Sequence, residues 1–167
     1  MKRCVIVGGA EIRTYERVRS YFRPDDFFIY CDCGLRHQAG LEREPDLIIG
    51  DFDSHEKPET DRETIVLPVK KDDTDTVYAA KEALRRGFDD FLLVGVSGGR
   101  LDHTLANLQN AANAAAQGMS VTILDEKSEI TFLTRGMLRL KKRPGWGLSV
   151  FSLSDTSTGV CLRGVKY

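Results

Sequence analysis

The chain has 167 residues, 41% of them hydrophobic, enough for one well-filled core and part of a second. Its 24 Lys and Arg nearly cancel its 25 Asp and Glu, leaving a net charge of −1, which excludes the basic footprint selected by duplex nucleic acid or an anionic membrane. No stretch approaches the roughly 20 consecutive apolar residues that span a bilayer, and the N-terminal residues reach Gly8 too soon for a secretory signal, so a cytoplasmic protein with small-molecule partners is expected.

Through residue 125, short apolar runs alternate with amphipathic stretches, which predicts a mostly parallel sheet with helices on both faces. The first run, 3–7, opens into Gly8-Gly9-Ala10, a glycine pair without the spacing of a dinucleotide fingerprint, and no phosphate-loop G-x-x-x-x-G-K-[ST] occurs anywhere. The second, 27–31, ends in Cys31-Asp32-Cys33-Gly34, and the third, 47–49, in Gly50-Asp51-Phe52-Asp53-Ser54. A fourth, 65–67, precedes Asp72-Asp73-Thr74-Asp75, where a helix over 72–86 is expected, with Asp72 or Asp73 as its cap, Val77, Ala80, Ala83 and Leu84 on one stripe, and Gly87 as its stop. The fifth, 91–96, leads into Ser97-Gly98-Gly99-Arg100-Leu101-Asp102-His103 and a second helix over 102–117, ended by Gly118. The sixth is 121–124.

After Asp125 the texture changes to strands at 130–133, 137–140 and 148–153, separated by Gly136 and Pro144-Gly145-Trp146-Gly147, and no helix is expected. A domain boundary near residue 126 follows, with 126–167 a partial all-β domain that reads as truncated in mid-strand. Cys4, Cys31, Cys33 and Cys161 lack the paired spacing of a zinc ribbon and read as ordinary reduced thiols.

The acidic clusters all fall where strands hand over to loops or helices, and carboxylates at the carboxyl ends of parallel strands converge on one crevice. Hard oxygen ligands beside an arginine and glycine turns suit magnesium and a polyphosphate. Asp51 and Asp53 are two apart, so an extended backbone points both to one side, where they can share a metal ion or stand as solvated loop acids. Asp72 and Asp75, three apart, either face the crevice or cap the helix. In the last cluster the backbone amides of Ser97, Gly98 and Gly99 with Arg100 make an anion cradle, and Asp102 is placed as acceptor or base, while His103 is as well explained by capping or packing. Two other readings fit these acids: a magnesium-dependent nucleotide-binding module, or a phosphatase acting on a small phosphorylated metabolite with Asp51 as nucleophile.

In combination, Asp32-x-Gly34, Gly50-Asp51-Phe52-Asp53-Ser54, Lys71-Asp72-Asp73-Thr74-Asp75 and Gly98-Gly99-Arg100-Leu101-Asp102-His103-x-x-x-Asn107 resemble the thiamin pyrophosphokinase (thiamin diphosphokinase) family over residues 5–165. The resemblance implies an N-terminal α/β catalytic domain at 1–125, a C-terminal β-sandwich that helps bind thiamin, a homodimer, and magnesium-dependent transfer of pyrophosphate from ATP to the thiamin hydroxyl. By that resemblance Asp51, Asp53 and Asp75 hold magnesium. Ser97, Gly98, Gly99, Arg100, Asp72, His103 and Asn107 line the ATP site, and Asp102, Arg100 and Asp32 serve catalysis. The chain departs from the family at Cys33, where a glycine is usual. The family's C-terminal domain also continues past the position of Tyr167 to a Ser-Asn segment of the thiamin pocket.

Overall fold

The computed structural model describes residues 2–53, 59–70 and 73–165. Its apolar runs become Arg3–Val7 (β1), Phe27–Cys31 (β2), Leu47–Gly50 (β3), Thr64–Val66 (β4), Asp90–Val94 (β5), Ser120–Leu124 (β6) and Glu129–Thr131 (β7). They form one seven-stranded sheet in the order β4-β3-β2-β1-β5-β6-β7. All neighbouring pairs are parallel except β6 and β7, which are antiparallel. Interior parallel strands are covered on both faces, which is why β1, β2, β3 and β5 read as continuous apolar runs rather than alternating ones.

Successive side chains still go to opposite faces, and this divides the core in two. Cys4, Ile6, Ile29, Cys31, Leu47, Ile49, Phe91, Leu93, Val121 and Ile123 share one face with Ala79, Ala83 and Ala111. Those alanines come from Asp75–Arg85 (α3) and Leu101–Ala116 (α4). Val5, Val7, Phe28, Tyr30, Leu92, Val94 and Leu124 form the other face with Val18 and Leu41, from Tyr15–Arg19 (α1) and Gln38–Leu41 (α2). The small residues of α3 and α4 let those helices lie close on the sheet, whereas the other face is filled by larger side chains.

The helix expected over 72–86 starts at Asp75, and its cap is Thr74, whose side-chain oxygen accepts from the Val77 amide at 3.4 Å. A threonine hydroxyl ahead of the first turn satisfies an orphan donor as an aspartate would, so the cap falls to Thr74 rather than to Asp72 or Asp73. The buried positions of α3 are Ala79 and Ala83, and Leu84 is largely exposed, so the expected stripe is rotated. Gly87 and Gly118 end α3 and α4 with φ of +86° and +92°.

The chain divides into two units, Met1–Arg135 and Gly136–Tyr167. β7, expected among the strands of the C-terminal part, pairs with β6 instead, so the α/β unit continues past the boundary expected near residue 126. Among the described residues of Gly136–Tyr167 no helix or strand forms, and the runs at 137–140 and 148–153 are exposed chain. Met137 and Phe151 are 77% and 81% exposed. Among the described residues no helix is long and apolar enough to cross a membrane.

Candidate active site

The strand order reverses between β1 and β5, since β2, β3 and β4 follow β1 on one side and β6 and β7 follow β5 on the other. In an open parallel sheet the loops leaving such a pair diverge to opposite faces and leave a crevice at the carboxyl ends of the strands. Gly8-Gly9-Ala10 leaves β1 there and Gly95–Arg100 leaves β5. The two turns are stitched together, the Gly8 amide donating to the Val94 carbonyl at 2.9 Å and the Ala10 amide to the Gly95 carbonyl at 2.8 Å.

The carboxylates stand at the same end of the sheet. Asp32 follows β2 and opens a 3₁₀ helix, Asp32–His37, with φ of +36°. Asp51 follows β3, and Asp75 is the first residue of α3. One ligand atom from each of Asp32, Asp51 and Asp75 lies within 4.8 Å of the others, and all three residues are half-buried. Asp32 Oδ1 is buried with no hydrogen-bond partner among the described residues, while its Oδ2 accepts from the Cys33 thiol at 3.1 Å. A buried carboxylate oxygen without a donor is costly, and an all-oxygen group of three acids is the donor set of a hard divalent cation such as magnesium.

Asp53, expected beside Asp51 as a metal ligand, is outside this group. Phe52 adopts φ of +52°, which breaks the extended alternation that would aim both carboxylates the same way. Asp53 is exposed, and its amide donates to Asp51 Oδ1 at 3.4 Å. Asp32 joins Asp51 and Asp75 instead. Asp72 and Ser54 lie outside the described residues.

Cys33 packs against the first glycine turn, since a Cβ at Gly9 would meet the Cys33 Cβ at 2.6 Å. Burial, then the hydrogen bond and charge of Asp32, push its thiol above the usual range. Burial, then the Asp75 charge, raise Cys31 well above it. Both thiols are held protonated, which disfavours thiolate ligation and redox work.

The loop after β5 is shaped by backbone turns at Gly98 and Gly99, with φ of +89° and +67°. Thr104, which sequence reasoning missed, ties it down: its hydroxyl accepts from the Gly98 amide and donates to the Arg100 carbonyl, both at 3.1 Å. Ser97 donates to Asp125 at 3.4 Å, and Asp125 also binds the amides of Lys127 and Ser128. Asn107, expected at the nucleotide, is 8% exposed and donates to the Val96 carbonyl at 2.8 Å, so here it supports the loop from beneath. His103 is exposed on the first turn of α4.

Arg100 and Asp102 face each other at the rim, with Nε and Nη2 donating to the two carboxylate oxygens at 3.2 and 2.5 Å. Hydrogen bonding from Arg100 holds the Asp102 carboxyl down at about 2. The cation suited to a phosphate is therefore engaged by the carboxylate suited to a hydroxyl, and a polyanion entering the cradle would compete for it.

A model of the thiamin pyrophosphokinase catalytic domain matches residues 18–123. The thiamine pyrophosphokinase of Bacillus subtilis (strain 168) is 26% identical over 174 residues, covering 100% of this chain and 81% of that protein. A thiamin pyrophosphokinase family protein from Enterococcus faecalis superposes with a TM-score of 0.67 at 28% identity, over 87% of this chain and 71% of its own. A crystal structure of thiamine pyrophosphokinase from Bacillus subtilis shares the fold with a TM-score of 0.66 at 23% identity, over 77% of this chain and 62% of that one. Against that structure the chain therefore spans less than two thirds of its relative's length. With its catalytic-domain match running from α1 through β6 and its acids gathered at the carboxyl edge of the sheet, the chain belongs to the thiamin pyrophosphokinase family.

Proposed function

We propose that this chain transfers a pyrophosphoryl group from ATP to the hydroxyl of thiamin, giving thiamin diphosphate and AMP, in the cytoplasm and as a homodimer. The observation that carries the proposal is the group Asp32, Asp51 and Asp75, with ligand atoms within 4.8 Å of one another, in a chain of this family. Asp51 and Asp75, joined by Asp32, would hold magnesium, with Asp72 a supporting acid. When bound, magnesium supplies charge neutralisation to the phosphates and polarises the phosphoryl group under attack.

The protein's own share is positioning. The Ser97-Gly98-Gly99 turn receives phosphate oxygens, Arg100 leaves Asp102 to pair with them, and His103 and Asn107 border and brace that loop. Released from Arg100, Asp102 regains basicity and accepts the proton of the thiamin hydroxyl. The hydroxyl oxygen then bonds to the β-phosphorus as the bond from that phosphorus to the oxygen bridging to the α-phosphate breaks, and AMP departs with that oxygen. Residues 136–167, the part of the expected 126–167 domain outside the α/β unit, are proposed to belong to a β-sandwich domain that binds thiamin.

Product analysis by chromatography after incubation with ATP, magnesium and thiamin tests the proposal. Stoichiometric AMP and thiamin diphosphate are expected. ADP with thiamin monophosphate, or inorganic phosphate with a trapped aspartyl phosphate at Asp51, overturns it in favour of an ordinary kinase or a phosphatase.

A further inference from the structure

Away from the acids, at the far end of the 3₁₀ helix that Asp32 opens, His37 is 3% exposed. Both ring nitrogens are engaged. Nε2 lies 2.9 Å from the Ala10 carbonyl oxygen and Nδ1 lies 2.9 Å from the Tyr15 hydroxyl. A carbonyl oxygen only accepts, so Nε2 carries the proton, Nδ1 presents its lone pair, and the Tyr15 hydroxyl donates to it. Burial holds the imidazole below its usual range, with the Ala10 bond acting the other way, which keeps it in this neutral tautomer. Tyr15 is itself boxed in, since a Cβ at Gly40 would meet its ring at 2.5 Å.

The Ala10 carbonyl belongs to the first glycine turn, and the amide of the same residue donates to the Gly95 carbonyl at 2.8 Å. Gly95 has φ of +62°, and a Cβ there would meet the Gly8 oxygen at 2.5 Å and the Ala10 oxygen at 3.2 Å. One chain of hydrogen bonds thus runs from Tyr15 through His37 and Ala10 to Gly95, two residues before Ser97 of the anion cradle. We propose that His37 is a positioning residue for the nucleotide-phosphate end of the crevice: its ring fixes the Ala10 carbonyl and, through it, the two glycine turns that meet where the strand order reverses. The inference rests on the reading of this crevice as a magnesium–ATP site.

Removing the donor leaves a half-buried carbonyl without its partner and lets the two turns drift, whereas glutamine keeps an N–H at the reach of Nε2 and an acceptor beside it. The test compares the full chain with His37→Leu, His37→Gln and Tyr15→Phe. It measures equilibrium binding of magnesium–ATP, then KM for ATP, KM for thiamin and kcat, with circular dichroism to confirm folding. His37→Leu is expected to weaken magnesium–ATP binding and raise KM for ATP about tenfold, the scale of one lost buried hydrogen bond. KM for thiamin and kcat should stay within about twofold, His37→Gln should recover most of the loss, and Tyr15→Phe should fall between. Unchanged magnesium–ATP binding in folded His37→Leu, or a loss confined to kcat, overturns the inference. If the unsubstituted chain binds magnesium–ATP but makes no thiamin diphosphate, only the proposed reaction fails. If it does not bind magnesium–ATP, the inference fails with it.

Discussion

Replacing Asp51 by asparagine should stabilise the metal-free protein while removing its response to magnesium. The ligand atoms of Asp32, Asp51 and Asp75 lie within 4.8 Å of one another. Taken as ionised, each pair at that separation repels by about 0.9 kcal/mol at the dielectric of water and about 3.5 kcal/mol at an effective dielectric of 20. All three residues are half-buried at the crevice, so the lower figure is the safer guide. Asp51 takes part in two of the pairs, and Asp51→Asn therefore relieves about 2 kcal/mol, which for a protein of this size raises the melting midpoint by roughly 4–8 °C. Magnesium works oppositely, stabilising the intact site by about 2.7 kcal/mol at a hundredfold excess over its dissociation constant. Thermal melts of both proteins, in chelator and in magnesium, measure the two effects. In chelator Asp51→Asn should melt higher, and in magnesium the unsubstituted protein should gain most of the shift. A variant that melts lower without metal, and gains as much from magnesium as its parent, refutes the idea that repulsion among these three carboxylates outweighs their other contacts until a cation binds.

Two further outcomes follow from ion pairs of opposite character. The Asp26 side chain is fully buried and its carboxylate accepts from Arg3 Nε at 2.8 Å, Arg3 Nη2 at 2.6 Å and the Arg23 amide at 2.7 Å, clamping the amino end of β1 to the loop before β2. Asp26→Ala strands a buried guanidinium and should cost about 3–5 kcal/mol in urea unfolding, a loss below about 1 kcal/mol being the contrary result. The Arg100–Asp102 pair is mostly exposed, so Arg100→Gln should leave the melting midpoint in place. With the hydrogen bond from Arg100 gone, the Asp102 carboxyl should rise from about 2 toward the ordinary aspartate value of 3.8, followed by NMR titration. A folded-state value depressed by pairing contributes stability above the unfolded value that is lost as pH falls toward about 2, so the small difference between the two proteins belongs to neutral pH and should vanish in acid. A titration that stays near 2 without Arg100 shows that another group holds the carboxyl down.

Much of the α/β unit was legible because parallel interior strands are buried on both faces and therefore leave unbroken apolar runs. Residues 3–7 and 27–31 became β1 and β2 without adjustment. Gly87 and Gly118, with no side chain to clash at positive φ, stop α3 and α4 where expected. The short helices α1 and α2 left no comparable trace, since five and four residues carry too little periodicity. The C-terminal runs illustrate the converse: apolar alternation shows that a segment is able to join a sheet, and only the pairing partner decides which one, as β7 does by adding to β6.

Residue types and their order determined which chemistry this chain carries: acids and glycine turns at strand ends, an arginine beside a helix start, and motifs distinctive enough to resemble one family. Only the tertiary structure decided which of those groups meet. A left-handed φ at Phe52 turns Asp53 away, the strand order brings Asp32 to Asp51 and Asp75, and His37 becomes a buried link between two loops rather than a surface histidine. The reason is physical: side-chain chemistry is local and written residue by residue, whereas proximity across strands depends on how the whole sheet is ordered and on single backbone angles that neighbouring residue types do not specify.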